Sequence, residues 1–160
     1  MIAFNADVYN TLKFLHVLAA ITWVGSSIYA QVLATRVLRE NDPEHLGVVA
    51  RDVGAMGKTL LMPASIAALV FGIALVAYSP AWNFTDTWVL IGLGGIGATI
   101  VTGAGFLGPE SERLGKLAEE GHTPAEPDVE RRIRKIVAIS RIDLVVLVVV
   151  VADMVFKPGA

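Results

Sequence analysis

Three long stretches of this 160-residue chain, 14–35, 59–85 and 87–109, carry no charged side chain. Each exceeds twenty residues, and at ~1.5 Å of rise per residue each is long enough as a helix to cross the ~30 Å hydrocarbon core of a bilayer. A soluble domain of this size has no use for three such runs. The composition agrees: 54% of residues are hydrophobic, and mean hydropathy is +0.62. The chain is read as an all-α integral membrane protein.

A fourth span, about 137–156, is less obvious because it contains Arg141, Asp143 and Asp153. A charge at mid-bilayer is costly, but these three lie near the ends of the segment. The sequence therefore predicts a single transmembrane domain over 1–160. Its helices are placed at about 12–36, 59–79, 87–108 and 137–156, antiparallel, joined by polar linkers at 37–58 and 109–136. Both linkers contain a helix start of the Pro-acid type, Asp42-Pro43-Glu44 and Glu126-Pro127-Asp128, so short surface helices are expected within them. Pro63 is expected at the start of the second span, where a missing N–H costs least. Eleven of the thirteen basic residues fall in or beside the two linkers. By the positive-inside rule the linkers are cytoplasmic and both termini outside, N-out/C-out. The N-terminal residues lack a basic region ahead of a short apolar core, so no cleavable leader is expected.

The third span is rich in glycine. Gly92, Gly95, Thr99, Thr102 and Gly103 fall on one face at 3–4 spacing and are expected to form a helix-contact seam. Trp82 and Trp88, beside the short turn before that span, fit a membrane–water interface. Asp153 and Lys157 are four apart and are expected to pair.

The absence of cysteine excludes disulfides and thiolate chemistry, and the net charge of -2 gives no sign of a nucleic-acid partner. No phosphate-binding glycine loop, metalloprotease motif or nucleophile elbow is present. What remains is His16, the only histidine inside a span. It shares a helix face with Ala20, Trp23, Ser27, Gln31 and Ala34, a small and polar face that should point into the bundle. As neutral imidazole it suits an axial bond to heme or a bond to copper or a similar ion; the alternative is a hydrogen bond to a neighbouring helix. Met154, at similar depth in the fourth span, is the only thioether placed to be a second ligand. Arg141 and Asp143 belong either to a proton or solute path or to the anchoring of a helix end. The basic run 131–135 suits anionic lipid headgroups or fixes topology.

The segment Leu12-Lys13-Phe14-Leu15-His16-Val17-Leu18-Ala19-Ala20-Ile21-Thr22-Trp23-Val24-Gly25 resembles the first helix of an uncharacterised group of bacterial predicted integral membrane proteins. Leu61-Met62-Pro63-Ala64 and the closing Met154-Val155-Phe156-Lys157-Pro158 support the likeness over nearly the whole chain. The same pattern is similar to J-type protoporphyrinogen oxidase, a heme-associated membrane enzyme, and to the membrane domain of copper-resistance protein D. The likeness to the oxidase implies heme b held by His16. The oxidase also has an essential lysine early in its third helix, whereas this chain reads Trp88-Val89-Leu90-Ile91-Gly92-Leu93. Its acidic segment before the last helix corresponds here to Ile139-Ser140-Arg141-Ile142-Asp143. The histidine and the fold carry over; the oxidation of protoporphyrinogen does not.

Three functions stay open at this point. One is a heme b protein using His16, with Met154 as second ligand, in electron transfer or porphyrin handling beside a redox partner or quinone. Another is a component of a small-solute or metal-ion transporter. The last is a non-catalytic membrane scaffold. A homodimer in a bacterial inner membrane is compatible with all three, and whether the chain is an enzyme is undecided.

Overall fold

The computed structural model describes residues 5–40 and 42–159. It contains six α-helices: α1 (Ala6–Glu40), α2 (Pro43–Met56), α3 (Met62–Tyr78), α4 (Thr87–Thr102), α5 (Gly108–Glu119) and α6 (Pro127–Phe156). These form four long columns. Between α2 and α3, and again between α4 and α5, the chain does not turn. It continues through one wider π-helical turn at Gly57–Leu61 and at Gly103–Leu107. The second column thus runs Glu44–Tyr78 and the third Thr87–Glu119; with α1 they are long and apolar enough to cross a membrane. The fourth column, α6, completes the bundle by packing along α1 and α4.

The two prolines explain the π turns. Pro63 and Pro109 each follow the wider turn by one residue, in the repeated pattern Gly-x-x-x-Leu-x-Pro of 57–63 and 103–109. A proline inside a helix has no N–H for the carbonyl four residues back, and its ring crowds that carbonyl. Widening the turn relieves the crowding. Met62 and Gly108 accordingly donate their N–H five residues back, to the Gly57 and Gly103 carbonyls. The expectation that Pro63 would open the second span is therefore corrected: the helix begins at Pro43, in α2, and runs through the proline. Asp42 caps that start, its side chain accepting the Glu44 N–H at 3.0 Å.

The linkers are more than polar connections. Leu46, Val49 and Ala50 of α2 recur at helical spacing. They bury against Leu114 of α5, Val37 of α1, and Val129, Ile133, Ile136 and Val137 of α6. This second core lies at the linker end of the bundle. Glu110, 12% exposed, ties it together by accepting from Arg113 at 2.7 Å and Arg132 at 3.0 Å. Burial alone would raise the Glu110 carboxyl, but the two guanidinium bonds outweigh it and hold it below its ordinary value. Most of the basic run 131–135 pairs within the protein: Arg131 with Asp128, Arg134 with Glu130, and Lys135 over the Phe106 ring. A Schellman turn ends α5, with Gly121 at φ +89° and the His122 N–H reaching the Leu117 carbonyl at 2.9 Å.

Near the termini the bundle is tight. Gly92 and Gly95 of α4 let α6 approach closely. A Cβ on Gly92 would stand 2.5 Å from Met154 Cε, and one on Gly95 would overlap Val150. The seam expected from 3–4 spacing exists here and continues through the buried Thr99, but it ends before Gly103, which has open space beside it. Trp88 turns inward and is buried, meeting Trp82 edge to face at 5.3 Å.

The expected pairing of Asp153 with Lys157 does not form. Lys157 takes a left-handed conformation, φ 45° and ψ 63°, as the helix ends. That swings its side chain out of helical register and over the two indoles, 4.0 Å from the Trp82 centroid and 5.2 Å from that of Trp88. Asp153 stays buried, and neither carboxylate oxygen has a partner among the described residues.

Candidate functional site

A cavity of about 380 Å³ opens in the linker half of the bundle, within the size range of small-molecule sites. All four columns wall it. Trp23, Ser27, Ala30 and Ala34 come from α1, Ser65 from α3, Thr99 from α4, and Ser140 and Asp143 from α6. Gly57, Lys58 and Leu61 of the first π turn and Gly103, Ala104 and Leu107 of the second complete it. The space opens where α3 and α4 touch far less than α1 with α3, α4 with α6 or α1 with α6. The small residues at 30, 34, 57, 103 and 104 add little bulk to fill it.

One bond across the bundle fixes the wall of α1 against α6. Gln31 Nε2 donates to the Val137 carbonyl at 3.3 Å, and its Oε1 accepts from Ser140. The mouth is marked by Lys58 and Glu112, both exposed, joined at 2.8 Å. Their hydrogen bond holds the Lys58 ammonium above its ordinary value and the Glu112 carboxyl below its own. Neither this bridge nor the π turns was expected from the sequence. The recurrence of Gly-x-x-x-Leu-x-Pro was the available signal for the turns.

Four of the cavity's hydroxyl groups, those of Ser27, Ser65, Thr99 and Ser140, have already donated their hydrogens. Ser27 gives its proton to the Trp23 carbonyl at 3.0 Å, Ser65 to that of Met62 at 2.9 Å, and Thr99 to that of Ile96 at 2.9 Å. Ser140 Oγ bonds to Gln31 and lies 3.2 Å from the Val137 carbonyl. What these oxygens offer to the cavity is lone pairs.

The residues singled out in the sequence are dispersed. Trp23 is buried and lines the cavity, and so does Asp143. Arg141 faces elsewhere, into a shallow outer cleft with Gln31, Thr35, Arg36 and Arg39, so it does not neutralise Asp143. His16 is seated on α3: Nδ1 lies 2.8 Å from the Ala68 carbonyl, and the ring covers Gly72, whose absent Cβ would stand 3.1 Å from it. A carbonyl can only accept, so Nδ1 carries a proton, and in the neutral imidazole the lone pair is on Nε2. Met154 is seated on a different helix, against Gly92 of α4. Among the described residues no group of three or more His, Cys, Asp or Glu side chains comes together to hold a metal ion. His45 lies at the linker end, 3.3 Å from Glu40, and His122 bonds Glu126 at 2.7 Å beside the Gly121 turn.

Residues 10–158 match the model of a family described as predicted integral membrane protein (DUF2269). No curated protein and no solved structure matches the chain. The match covers nearly the whole sequence, and the chain belongs to that family of integral membrane proteins.

Proposed function

We propose that this protein is a component of a small-solute transporter and that the cavity is its solute site. The observation that carries the reading is the wall itself. Four transmembrane columns enclose a space lined by an unpaired carboxylate and by two π turns, a helix irregularity that recurs at functional sites. Irregular backbone at membrane depth is tolerated where it lines a cavity. Ionisable groups within spans commonly mark solute paths, and Asp143 is the one in this wall.

The absence of cysteine makes the test direct, because any thiol introduced is the only one. Ser65→Cys in the cavity wall should react with a membrane-impermeant maleimide added to the linker face of membrane vesicles. Ala68→Cys, one turn further on and 2% exposed, should stay unlabelled. Equal inertness of the two would mean the cavity is closed to water, and the reading would fail.

A second reading rests on His16. With Nδ1 bonded to Ala68, the free Nε2 fits the axial ligand of heme b; Met154, docked on α4, has no such support as its partner. A heme there would supply a one-electron carrier to a redox partner or quinone. The visible spectrum of the purified protein decides it. A Soret band lost in His16→Ala supports the reading, and a colourless protein that takes up no added hemin removes it.

A further inference from the structure

We infer that the solute received by the cavity is a hydrogen-bond-donating monocation, a protonated amine or similar organic cation. The inference rests on the transporter reading of the same cavity and adds the chemical class of its ligand.

The first ground is charge. Three ionisable side chains line the space: Lys58, Glu112 and Asp143. Lys58 and Glu112 cancel one another at the mouth. Asp143 has no hydrogen bond or ion pair among the described residues, and Arg141 is turned to the other cleft. The walls therefore carry one uncompensated negative group.

The second ground is the direction of the hydrogen bonds. Ser27, Ser65 and Thr99 have committed their protons to helix carbonyls, leaving acceptors only. The two π turns extend the pattern into the backbone. The carbonyl of Lys58 has no donor in its own helix, because the Met62 N–H goes to Gly57 and Pro63 has none. The carbonyl of Ala104 is in the same position: the Gly108 N–H goes to Gly103, and Pro109 has none. Both residues line the cavity. A carbonyl without a donor in its own helix is free to accept from a ligand rich in N–H groups. An anion would meet the Asp143 carboxylate and the lone pairs of Ser27, Ser65 and Thr99. A neutral alcohol would satisfy some acceptors but leave Asp143 uncompensated.

The twofold recurrence matters here. The second and third columns run in opposite directions, so equivalent turns approach the cavity from opposite chain senses. Unpartnered carbonyls and a carboxylate around one space are a donor set for a cation, as at interrupted helices in transporters generally.

Three compounds of one shape separate the outcomes: cyclohexylmethylammonium, cyclohexylmethanol and cyclohexanecarboxylate, titrated against the full-length protein in nanodiscs by ligand-observed NMR. The ammonium should bind at least tenfold more tightly than the alcohol, and the carboxylate should not bind. Asp143→Asn should lower the ammonium affinity at least tenfold and leave the alcohol unchanged. If the alcohol binds as well as the ammonium, the cavity remains a solute site and the cation class is overturned. A carboxylate that binds best overturns it as well. If none of the three binds and Ser65→Cys is also inert, the transporter reading falls with it. The comparison among ligands uses the native protein, so a variant that fails to fold leaves the test intact.

Discussion

Two stretches of the third column use the same residue type to opposite effect, glycines of α4 in one and of the π turn that follows it in the other. Toward the termini, Gly92 and Gly95 are filled by Met154 and Val150 of α6, and the helices lock. Toward the linkers, Gly103 and Gly105 have nothing within reach of a Cβ, and the space beside Gly103 belongs to the cavity. In a bilayer a small residue stabilises only where a partner helix moves in to meet it. Where α3 and α4 diverge, the same small residues leave a void. A glycine-rich span therefore marks both a tight joint of this bundle and an opening, and the difference lies in what α6 and α3 place opposite.

The contrast is broken most forcefully at Gly95. Gly95→Leu should drive α6 off the seam at a cost of about 3 kcal/mol, seen as early thermal aggregation in detergent. Gly97→Ala, on the open side of the same helix, should be neutral or stabilising by about 0.5–1 kcal/mol. Equal effects at 95 and 97 would mean that α4 and α6 do not meet as described. A smaller effect is expected at the edge of the cavity. Gln31→Leu removes the bridge to Ser140 and Val137 and should cost about 1 kcal/mol, read as a fall in melting temperature without loss of the folded monomer.

The smallest effect separates the linker core from the membrane half by pH. Three linker carboxylates are held below their ordinary values. Burial pulls Glu110 up, but its guanidinium bonds outweigh that; Glu112 is held by Lys58, and Glu126 first by the Thr123 backbone N–H and then by His122. A carboxylate depressed on folding contributes stability above its unfolded value, and that contribution is lost as pH falls through the folded value. Acidification below about 4.5 should therefore loosen α5 and the start of α6 before it affects α4. Amide exchange of α5 against α4 measures this. Glu110→Gln should flatten part of the response, and identical acid profiles in the two regions would contradict it.

Much of the architecture was already legible in the residues. Uncharged runs announced three spans, the basic residues put both linkers on one side, and Asp42 announced where α2 begins; Pro127, expected to open a short linker helix ahead of a span at about 137–156, opens α6 itself, which is continuous to Phe156. The fourth span had to be inferred through Arg141, Asp143 and Asp153, and the bundle supplies its packing partners. The site was less legible. His16 stood out because a lone intramembrane histidine is conspicuous, whereas Ser27, Ser65 and Thr99 are ordinary residues until their hydrogens are followed to specific carbonyls.

What the sequence by itself determined is where the chain must be apolar, where helices start, and which face of α4 is small. These are local properties, set by hydropathy, capping chemistry and side-chain size. Only the tertiary structure decided that the helices run on through Pro63 and Pro109, that the linkers share a core, that Lys157 leaves Asp153 for two indoles, and that Asp143 and the two π turns converge on one cavity. Each depends on what another column places opposite, and a helix read alone does not contain that information.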